Sequence, residues 1–274
     1  MPLVSVVIPT RNRIDLLVRS IHSVINQTFT DWEIIVVDDA STDATESIMS
    51  EKKSNQIHYF RLNQKSGGAV ARNFGINNSN GELVAFLDDD DEWMPEKLQK
   101  QIDCMTQDKQ LGICYTGRET IRKGNLIFGI GKNYSFKYPP KENQFKAIMS
   151  DNFIGITSSV MIPRTILKEI NGFDESLPCL QDYDLYIRIM KKWNAAGINE
   201  PLVLYHLNGN IKHVSLTRKE IEFASGYILK KYENEQYYPI LVKAIQRINI
   251  KKMIKSFVYT KEVIKDYFKT AKVF

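Results

Sequence analysis

Short runs of apolar residues alternate with amphipathic stretches over the first hundred residues of this 274-residue chain. These runs lie at residues 3–8, 33–37, 57–61 and 83–87, and the first three include polar residues. Runs of this length predict strands, and the uninterrupted run 83–87 predicts a strand buried on both faces, as in a parallel sheet flanked by helices. Between them, apolar residues recur at helical spacing, as they do over residues 14–25. The alternation predicts an α/β fold with a doubly wound, mostly parallel sheet.

The end of the first strand is marked by Pro9. Proline has no backbone N–H to donate and is rare inside central strands, so we expect the strand to end before it. Asn12, with Asp15 three residues later, resembles an N-cap and its reciprocal partner. A loop and then a helix should therefore follow the first strand.

Four aspartates, Asp88 to Asp91, follow directly on the fourth apolar run. Side chains alternate along an extended chain, so Asp88 and Asp90 should point to one side and Asp89 and Asp91 to the other. Four clustered carboxylates favour a counter-ion, and Mg²⁺ or Mn²⁺ held by one or two carboxylates plus phosphate oxygens would supply it. A solvated acidic turn is the alternative. A buried strand leads into the run, which favours a site because ligands bind beyond the carboxyl ends of such strands.

Polar residues also follow the other apolar runs. Thr10 and Arg11 follow the first run and Asp39 follows the second. Gly68 opens the helix after the third run, where backbone N–H groups could approach a phosphate, although neither the dinucleotide fingerprint nor the P-loop is present. Arg72 lies one turn into that helix. A ligand contact and a surface or salt-bridged position are equally good explanations of it.

The second half of the chain gives fewer signals. Residues 112–143 contain short strand-like runs broken by glycine and by a Pro-Pro pair. Asp182 lies at the start of a helix predicted from residue 181, where an acid commonly does no more than interact with the helix dipole. His213 lies in a polar loop and is a better ligand candidate than His22 or His58, which lie within predicted elements.

Composition narrows the class of protein. The chain is 43% hydrophobic and 25% charged, which is ordinary for a globular protein. Its three cysteines lack the number and spacing of a disulfide framework or a zinc site, which suits a reducing compartment. No secretory signal or membrane-spanning stretch is present, so we expect a cytoplasmic protein.

The net charge of +5 arises from the C-terminal end, where residues 230–274 contain eleven Lys or Arg and four acids. Apolar residues recur among these lysines at helical spacing, for example Ile240, Leu241, Ala244 and Ile245. Such helices suit the surface of an anionic membrane, here the inner face of the cell membrane. The alternative is that they pack on the rest of the protein. No nucleic-acid-binding motif accompanies the basic residues, so we expect no nucleic-acid partner.

Six motifs in chain order resemble family 2 glycosyltransferases with the GT-A fold. The motifs are residues 4–10 (VSVVIPT), 36–41 (VVDDAS), 68–73 (GAVARN), 86–91 (FLDDDD), 172–175 (GFDE) and 182–184 (DYD). One motif alone would be a weak signal, but six in order are specific, and the resemblance covers roughly residues 3–217.

The resemblance implies roles for these residues. Thr10, Arg11 and Asp39 would hold the base and ribose of a nucleoside diphosphate sugar, with uridine the most frequent base in the family. The aspartate cluster would hold Mn²⁺ or Mg²⁺ on the diphosphate, with Asp90 as the direct ligand, and Asp182 would be the general base. The remaining candidates are Gly68, Arg72, Asp88 and Asp89 for the nucleotide sugar, and Asp88 and His213 for the metal.

The implied reaction is an inverting, metal-dependent transfer of a sugar to an acceptor hydroxyl, with a saccharide or lipid-linked saccharide as acceptor, in surface polysaccharide or glycolipid synthesis. Gln181 departs from the family pattern, which has Glu at this position, so the role of that Glu in acceptor binding is open.

Two alternatives to a glycosyltransferase remain. A sugar-phosphate nucleotidyltransferase would need a glycine-rich loop after the first strand, which is absent. A non-catalytic nucleotide-sugar-binding module is disfavoured by the intact Asp182.

The chain is thus expected to consist of two parts. Residues 1–219 would form the catalytic domain, with a nucleotide-sugar-binding half (1–110) and an acceptor-binding half (111–219). Residues 220–274 would form a basic amphipathic helical tail.

Overall fold

The computed structural model of the chain describes residues 1–52, 54–123, 130–207 and 217–259. The strands are β1 (Val4–Thr10), β2 (Trp32–Asp38), β3 (Ile57–Arg61), β4 (Leu83–Phe86), β5 (Glu92–Trp93), β6 (Leu111–Lys123), β7 (Ile130–Ser135), β8 (Val160–Pro163) and β9 (Asn194–Leu207). The helices are α1 (Ile14–Ile25), α2 (Thr45–Glu51), α3 (Gly68–Asn77), α4 (Lys97–Gln107), α5 (Gln144–Ser150), α6 (Arg164–Glu169), α7 (Gln181–Met190), α8 (Arg218–Lys231) and α9 (Tyr238–Tyr259).

All the described strands belong to one mixed sheet in the order β3-β2-β1-β4-β8-β6-β9-β5, with β7 paired to β6. The first four neighbours, β3, β2, β1 and β4, run parallel, and β6 and β9 run parallel to each other. β8 is antiparallel to both β4 and β6, so β6 and β9 point in the same direction as β1. The predicted doubly wound, mostly parallel sheet is confirmed.

The carboxyl ends of β1, β2 and β4 lie at one edge of the sheet because these strands are parallel. β1 extends to Thr10 and pairs with β2 along its whole length, so the expected end before Pro9 is wrong. The reason is that β4 ends opposite Val7. The last hydrogen bond between these strands runs from the N–H of Leu87 to the carbonyl of Val7. Pro9 faces the same side as Val7 but lies beyond the end of β4. Its missing N–H therefore removes no hydrogen bond from the sheet.

Helices cover both faces of the sheet. Successive β1 residues enter different cores: Val6 packs with Leu17 of α1 and Leu98 of α4, whereas Val7 packs on the other face with residues of α3 and α7. This two-sided burial explains why the strands consist of continuous apolar residues rather than an alternating pattern.

The loop after β1 is held by hydrogen bonds that differ from those expected. Asn12 has a φ of 54° and does not cap α1, which begins after Arg13. Its Oδ1 accepts from the backbone N–H of Thr42 at 2.6 Å, and its own N–H donates to Ser41 Oγ at 2.8 Å. Asn12 therefore joins the loops after β1 and β2. It does not cap α1 because a side chain two residues before the first turn cannot reach the N–H groups of that turn.

β6 is one long strand rather than the broken runs expected from its glycines. Its pairing with β9 shifts register on both sides of Gly117. A Cβ on Gly117 would lie 2.6 Å from Tyr134 Oη and 2.7 Å from the carbonyl oxygen of Glu200. The glycine permits close passage of neighbouring strands and marks a bulge, so it does not end the strand.

The two halves of the sheet are joined by Asn73 on α3. Its Nδ2 donates to the carbonyl of Phe173 at 2.9 Å, and its Oδ1 accepts from the N–H of Phe173 at 2.8 Å. Gly172 has a φ of 60°, and a Cβ there would lie 2.3 Å from Asn73 Oδ1. The close approach therefore requires glycine at 172.

The C-terminal helices share the core of the sheet domain. Ile228 of α8 and Leu241 and Ile245 of α9 are buried in the same apolar cluster as Ile148 and Tyr183. This favours packing on the protein for residues up to 248, while residues 260–274 of the expected tail lie outside the described residues. Within the described ranges, no helix is long and apolar enough to cross a membrane. The division of the chain at residue 219 stays a prediction.

Candidate functional site

The four aspartates at residues 88–91, here called the acidic turn, do not alternate as an extended chain would. The N–H of Asp91 donates to the carbonyl of Asp88 at 3.0 Å, which closes a turn. Asp89 and Asp90 consequently face the same partner, and each accepts from Arg13 Nη1 at 3.1 Å. The expectation that Asp88 and Asp90 share one side and Asp89 and Asp91 the other is wrong, because the chain reverses within the run.

Asp88 pairs with Arg72 of α3. Arg72 Nη2 lies 2.5 Å from Asp88 Oδ1, and the Arg72 side chain is only 13% exposed, so this arginine is salt-bridged rather than on the surface, and its contact with a ligand stays a prediction. Gly68 makes room for the pair: a Cβ at that position would lie 2.8 Å from Arg72 Nη1. Helix α3 thus places a buried guanidinium against the first carboxylate of the acidic turn.

Arg72 also connects the acidic turn to Asp182, in the first turn of α7. Burial alone would lower the pKa of Arg72, but the charges of Asp88 and Asp182 outweigh it and raise that pKa. Asp182 Oδ1 accepts from the N–H of Tyr183 at 2.8 Å. One cation therefore lies within electrostatic reach of carboxylates that are 94 positions apart in the sequence.

Gln181 makes a hydrogen bond that a glutamate could not. Its Nε2 donates to the carbonyl of Leu177 at 2.6 Å, closing the turn before α7. A carboxylate has no proton to donate and would leave this carbonyl without its partner. The residue that departs from the family pattern therefore has a local structural role here.

Thr10 and Asp39 both lie beside the acidic turn and the start of α3, as expected from their strands. Thr10 Oγ1 donates to Asp89 Oδ2 at 2.8 Å. Asp39 accepts from the backbone N–H groups of Ser66 (2.5 Å) and Gly67 (3.0 Å), so the Gly67 N–H is occupied by a carboxylate rather than directed at a phosphate. Arg11 Nε is buried without a hydrogen-bond partner among the described residues.

The acidic turn gathers four carboxylates, an excess of negative charge within four residues. In the part of the chain that the structure describes, ion pairs join three of them to Arg13 and Arg72. Burial, opposed by Arg13 and reinforced by Asp90, raises the pKa of Asp89 to about 6. Burial and the charges of Asp88 and Asp90 raise the pKa of Asp91 well above its usual range, and one of its oxygens is buried without a partner in the described residues.

A divalent cation fits this charge excess, because hard cations prefer carboxylate oxygens and would lower the cost of crowding them. Across the described ranges, no group of three or more His, Cys, Asp or Glu side chains converges to hold a metal. The protein would then supply one or two ligands and the substrate phosphates and water the rest, as is usual for Mg²⁺. His213, the other metal candidate, lies outside the described residues.

Two arginines, Arg13 just before α1 and Arg19 within it, contact this site and were missed by the sequence analysis. Arg13 contacts Asp89 and Asp90, and Arg19 Nη2 donates to the carbonyl of Asp90 at 2.6 Å. Arg19 also pairs with Glu92 at 3.2 Å. The sequence contained a signal for these two contacts. Both arginines come soon after β1, and β1 pairs with β4, the strand that leads into the acidic turn.

Comparison with known proteins supports the resemblance. The family model described as glycosyl transferase family 2 matches residues 5–170. The putative teichuronic acid biosynthesis glycosyltransferase TuaG of Bacillus subtilis (strain 168) is 34% identical over 76% of this chain and 81% of its own length. The UDP-Glc:alpha-D-GlcNAc-diphosphoundecaprenol beta-1,3-glucosyltransferase WfgD of Escherichia coli is 31% identical over 72% of this chain and 73% of its own.

Solved structures give the same fold. The S. aureus TarS fragment 1–349 superimposes with a TM-score of 0.72 at 18% identity, over 97% of this chain and 77% of that one. The mannosyltransferase PcManGT from Pyrobaculum calidifontis, in complex with GDP-Man and Mn²⁺, gives a TM-score of 0.61 at 18% identity, over 99% and 80%. The chain therefore belongs to glycosyl transferase family 2 and is a glycosyltransferase with the GT-A fold.

Proposed function

We propose that this enzyme transfers a sugar from a UDP-linked donor to a hydroxyl group of a saccharide acceptor, with inversion, during synthesis of a cell-surface polysaccharide. Two relatives support the pathway class, since TuaG is named for teichuronic acid biosynthesis and WfgD uses UDP-Glc with a diphosphoundecaprenol acceptor. TarS has been solved with UDP and with UDP-GlcNAc. The observation that carries the proposal is the buried ion pair of Arg72 with Asp88, with the charge of Asp182 within electrostatic reach of the same guanidinium.

Asp182 acts as the general base. It takes the proton of the acceptor hydroxyl while that oxygen bonds to the anomeric carbon and the bond from that carbon to the diphosphate breaks. The neighbouring Asp184 is unsuited to a chemical role, because it is fully buried and bonded to Tyr232, Arg188 and Lys231. With Asp182 as the base and no second carboxylate assigned as a nucleophile among the described residues, the reaction is a direct displacement with inversion.

The acidic turn would hold the donor diphosphate through a divalent cation. Asp90 and Asp88 would bind Mn²⁺ or Mg²⁺, which would stabilise negative charge on the departing diphosphate. Asp88 also holds Arg72 in a buried ion pair. Asp89 contacts Thr10 and Arg13 and sets the shape of the turn.

The nucleoside binds where the loops after β1 and β2 meet. Asp39 bonds the start of α3 and keeps lone pairs for a ribose hydroxyl, since each carboxylate oxygen can accept more than one hydrogen bond. Arg11 retains donor capacity at its buried Nε. Thr10 and Gly68 shape the wall between nucleoside and diphosphate.

The enzyme acts on the cytoplasmic side of the membrane, on a saccharide that is lipid-linked. The basic residues at positions 251–274 of the tail would bring it to anionic lipid, each contributing about 1 kcal/mol near the surface. Lys231 is instead paired with Asp174 and Asp184. Such docking would place the acceptor site within reach of an acceptor confined to the bilayer surface.

Replacement of Asp182 by Asn tests the proposal. It retains size and hydrogen bonding but removes the proton acceptor, so UDP release from the donor should fall by ~10²-fold or more while UDP affinity stays within a few-fold. Donors would first be screened by thermal shift with Mn²⁺, because a ligand that binds only the native state raises the melting temperature.

Asp15→Asn is a matched control, because Asp15 is an exposed aspartate in the first turn of α1. It should leave both quantities unchanged. Normal UDP release by the Asp182 variant would refute the assignment of the base. A wild-type protein that binds no nucleotide sugar would refute the function as a whole.

A further inference from the structure

A cavity in the second half of the sheet lies outside the site described so far. It has a volume of about 110 Å³, several times the space that one water molecule needs. Strands β6 and β7 and the loop 152–155 line it, with Tyr115, Thr116, Arg118, Lys137, Asn152 and Gly155 among the lining residues.

Two polar groups of this cavity lack a protein partner. Thr116 is 3% exposed, and its Oγ1 makes no hydrogen bond among the described residues. Arg118 lines the same cavity and forms no ion pair within the described part of the chain, while its Nε is buried without a hydrogen-bond acceptor. Lys137, the other cation here, already pairs with Asp151. A buried hydroxyl and an unneutralised guanidinium side by side are the donors that an anionic oxygen group requires.

The guanidinium of Arg118 is held in a fixed position. It lies over the ring of Tyr205, with Cζ 5.9 Å from the ring centroid. Its Nη1 approaches Gly155 so closely that a Cβ there would be 2.7 Å away. The Gly155 backbone is itself fixed by Asn152, which accepts from its N–H at 2.9 Å and donates to its carbonyl at 3.1 Å. Preorganisation of this kind favours ligand binding, because little freedom remains to be lost.

The cavity lies near the acidic turn. The Arg118 guanidinium packs over Tyr205, and the neighbouring residue Leu204 pairs with Glu92, which directly follows the acidic turn. Tyr186 is fully buried on α7, one turn after Asp182, and its hydroxyl has no hydrogen-bond partner among the described residues. Burial and the charge of Asp182 raise the pKa of Tyr186, while the charges of Arg72 and Arg118 oppose the rise, which agrees with a position of Arg118 near Asp182.

We propose that the Thr116–Arg118 cavity binds an anionic group, a phosphate or a carboxylate, carried by the acceptor saccharide. This inference rests on the proposed function, because it assigns the cavity to the substrate whose hydroxyl meets Asp182. Arg118 supplies a charged donor pair, Thr116 supplies a hydroxyl, and the Tyr115 ring forms an apolar wall beside them. Arg118 is then a specificity-determining residue: it favours acidic acceptors over neutral ones.

The test uses full-length protein saturated with UDP and diamagnetic Mg²⁺, so that the donor site is closed to other anions. Three probes are titrated by ligand-observed NMR: methyl β-glucuronide as the carboxylate source, glucose 6-phosphate as the phosphate source and methyl β-glucoside as the neutral reference. At least one anionic probe should bind roughly tenfold more tightly than the neutral one, the range expected for a hydrogen bond to a charged group. Which anionic probe binds identifies the source.

Arg118→Gln should reduce the anionic preference to less than about threefold, and Thr116→Val should weaken the preferred probe by a smaller factor. Lys132→Gln is the matched control, since Lys132 is an exposed cation on β7 that pairs with Glu119 and does not line the cavity. It should leave the preference unchanged. If Arg118→Gln does not fold, Arg118→Lys and Thr116→Val provide the comparison.

Equal binding of anionic and neutral probes would overturn the inference. So would an unchanged preference in the Arg118 and Thr116 variants. If Arg118→Gln instead weakened UDP binding, the residue would serve the donor, and the acceptor assignment would be wrong. Each of these results leaves UDP binding by the wild-type protein intact, whereas failure of the proposed function would abolish it.

Discussion

Lys97 is fully buried beneath the acidic turn, and its replacement by Met should change the pH dependence of stability. Its Nζ donates to Gln101 Oε1 at 2.6 Å and lies 3.8 Å from the centroid of the Trp93 ring. No carboxylate pairs with it in the described ranges of the chain. Burial lowers the pKa of Lys97 to about 7, from 10.5 for an ordinary lysine.

The sign of the effect follows from proton uptake. Between pH 7 and 10.5 the unfolded chain holds a proton on Lys97 that the folded protein does not, so stability rises with pH across this window. One pKa unit corresponds to about 1.4 kcal/mol, so the full window amounts to about 5 kcal/mol, and the interval from pH 7 to 9 to roughly 2 kcal/mol. The Trp93 ring stabilises the protonated form of Lys97, so these values are upper limits for the change in the free energy of unfolding.

Urea denaturation at pH 7, 8 and 9, followed by tryptophan fluorescence, gives the free energy of unfolding of each variant. The stability of the wild-type protein should rise relative to that of Lys97→Met by roughly 2 kcal/mol between pH 7 and 9. Loss of the hydrogen bond to Gln101 adds a constant offset that does not depend on pH. Lys100→Met, on the same helix but partly exposed and paired with Glu200, should run parallel to the wild type.

A difference between wild type and Lys97→Met that stays constant from pH 7 to 9 would refute the reasoning. It would mean that Lys97 keeps its proton in the folded state, and that the Trp93 ring and Gln101 compensate for its burial.

The metal site, the C-terminal helices and the basic tail each allow a further test. Asp90→Asn should abolish Mn²⁺-dependent binding of UDP in calorimetry, and unchanged affinity would mean that the acidic turn is only a charged surface turn. Tyr232→Phe should lower the free energy of unfolding in urea by roughly 1–3 kcal/mol, because the hydroxyl donates to buried Asp184 at 2.7 Å; no change would contradict a structural role for this contact. Removal of residues 250–274 should reduce co-sedimentation with anionic vesicles at low salt while UDP binding persists, and ~0.5 M salt should do the same to the full chain; a full-length protein that ignores vesicles at low salt would exclude membrane docking.

The strand and helix order of the first hundred residues could be predicted from sequence because β1, β2 and β4 are buried on two faces and the helices on one, although the edge strand β3 is only partly buried. Those patterns depend on local hydrophobicity alone. The limits of β1 and β6 could not be predicted in this way. Pro9 and Gly117 are strand breakers by propensity, but the early end of β4 and the close passage of β7 and β9 allow them within strands.

The candidate site shows the same division. The acidic turn, Asp39 and Asp182 could be located from motifs, whereas their partners could not. Arg13 meets Asp89 across 76 positions, and Arg118 meets its cavity only through the pairing of β6 with β7 and β9. Long-range pairs of this kind produce no periodic pattern in the sequence, so they become visible only once the strand order of the sheet is known.

The contact between Asn73 and Phe173 has a consequence for how this enzyme can change over time. Asn73 is the immediate neighbour of Arg72, so the same turn of α3 both fastens the two halves of the sheet and presents the guanidinium to Asp88. Any substitution that loosens the fastening, such as a larger residue at Gly172, also misplaces that guanidinium. Substitutions at this position should therefore change stability and turnover together during evolution. A variant that loses one would lose the other, and a compensating change would restore both.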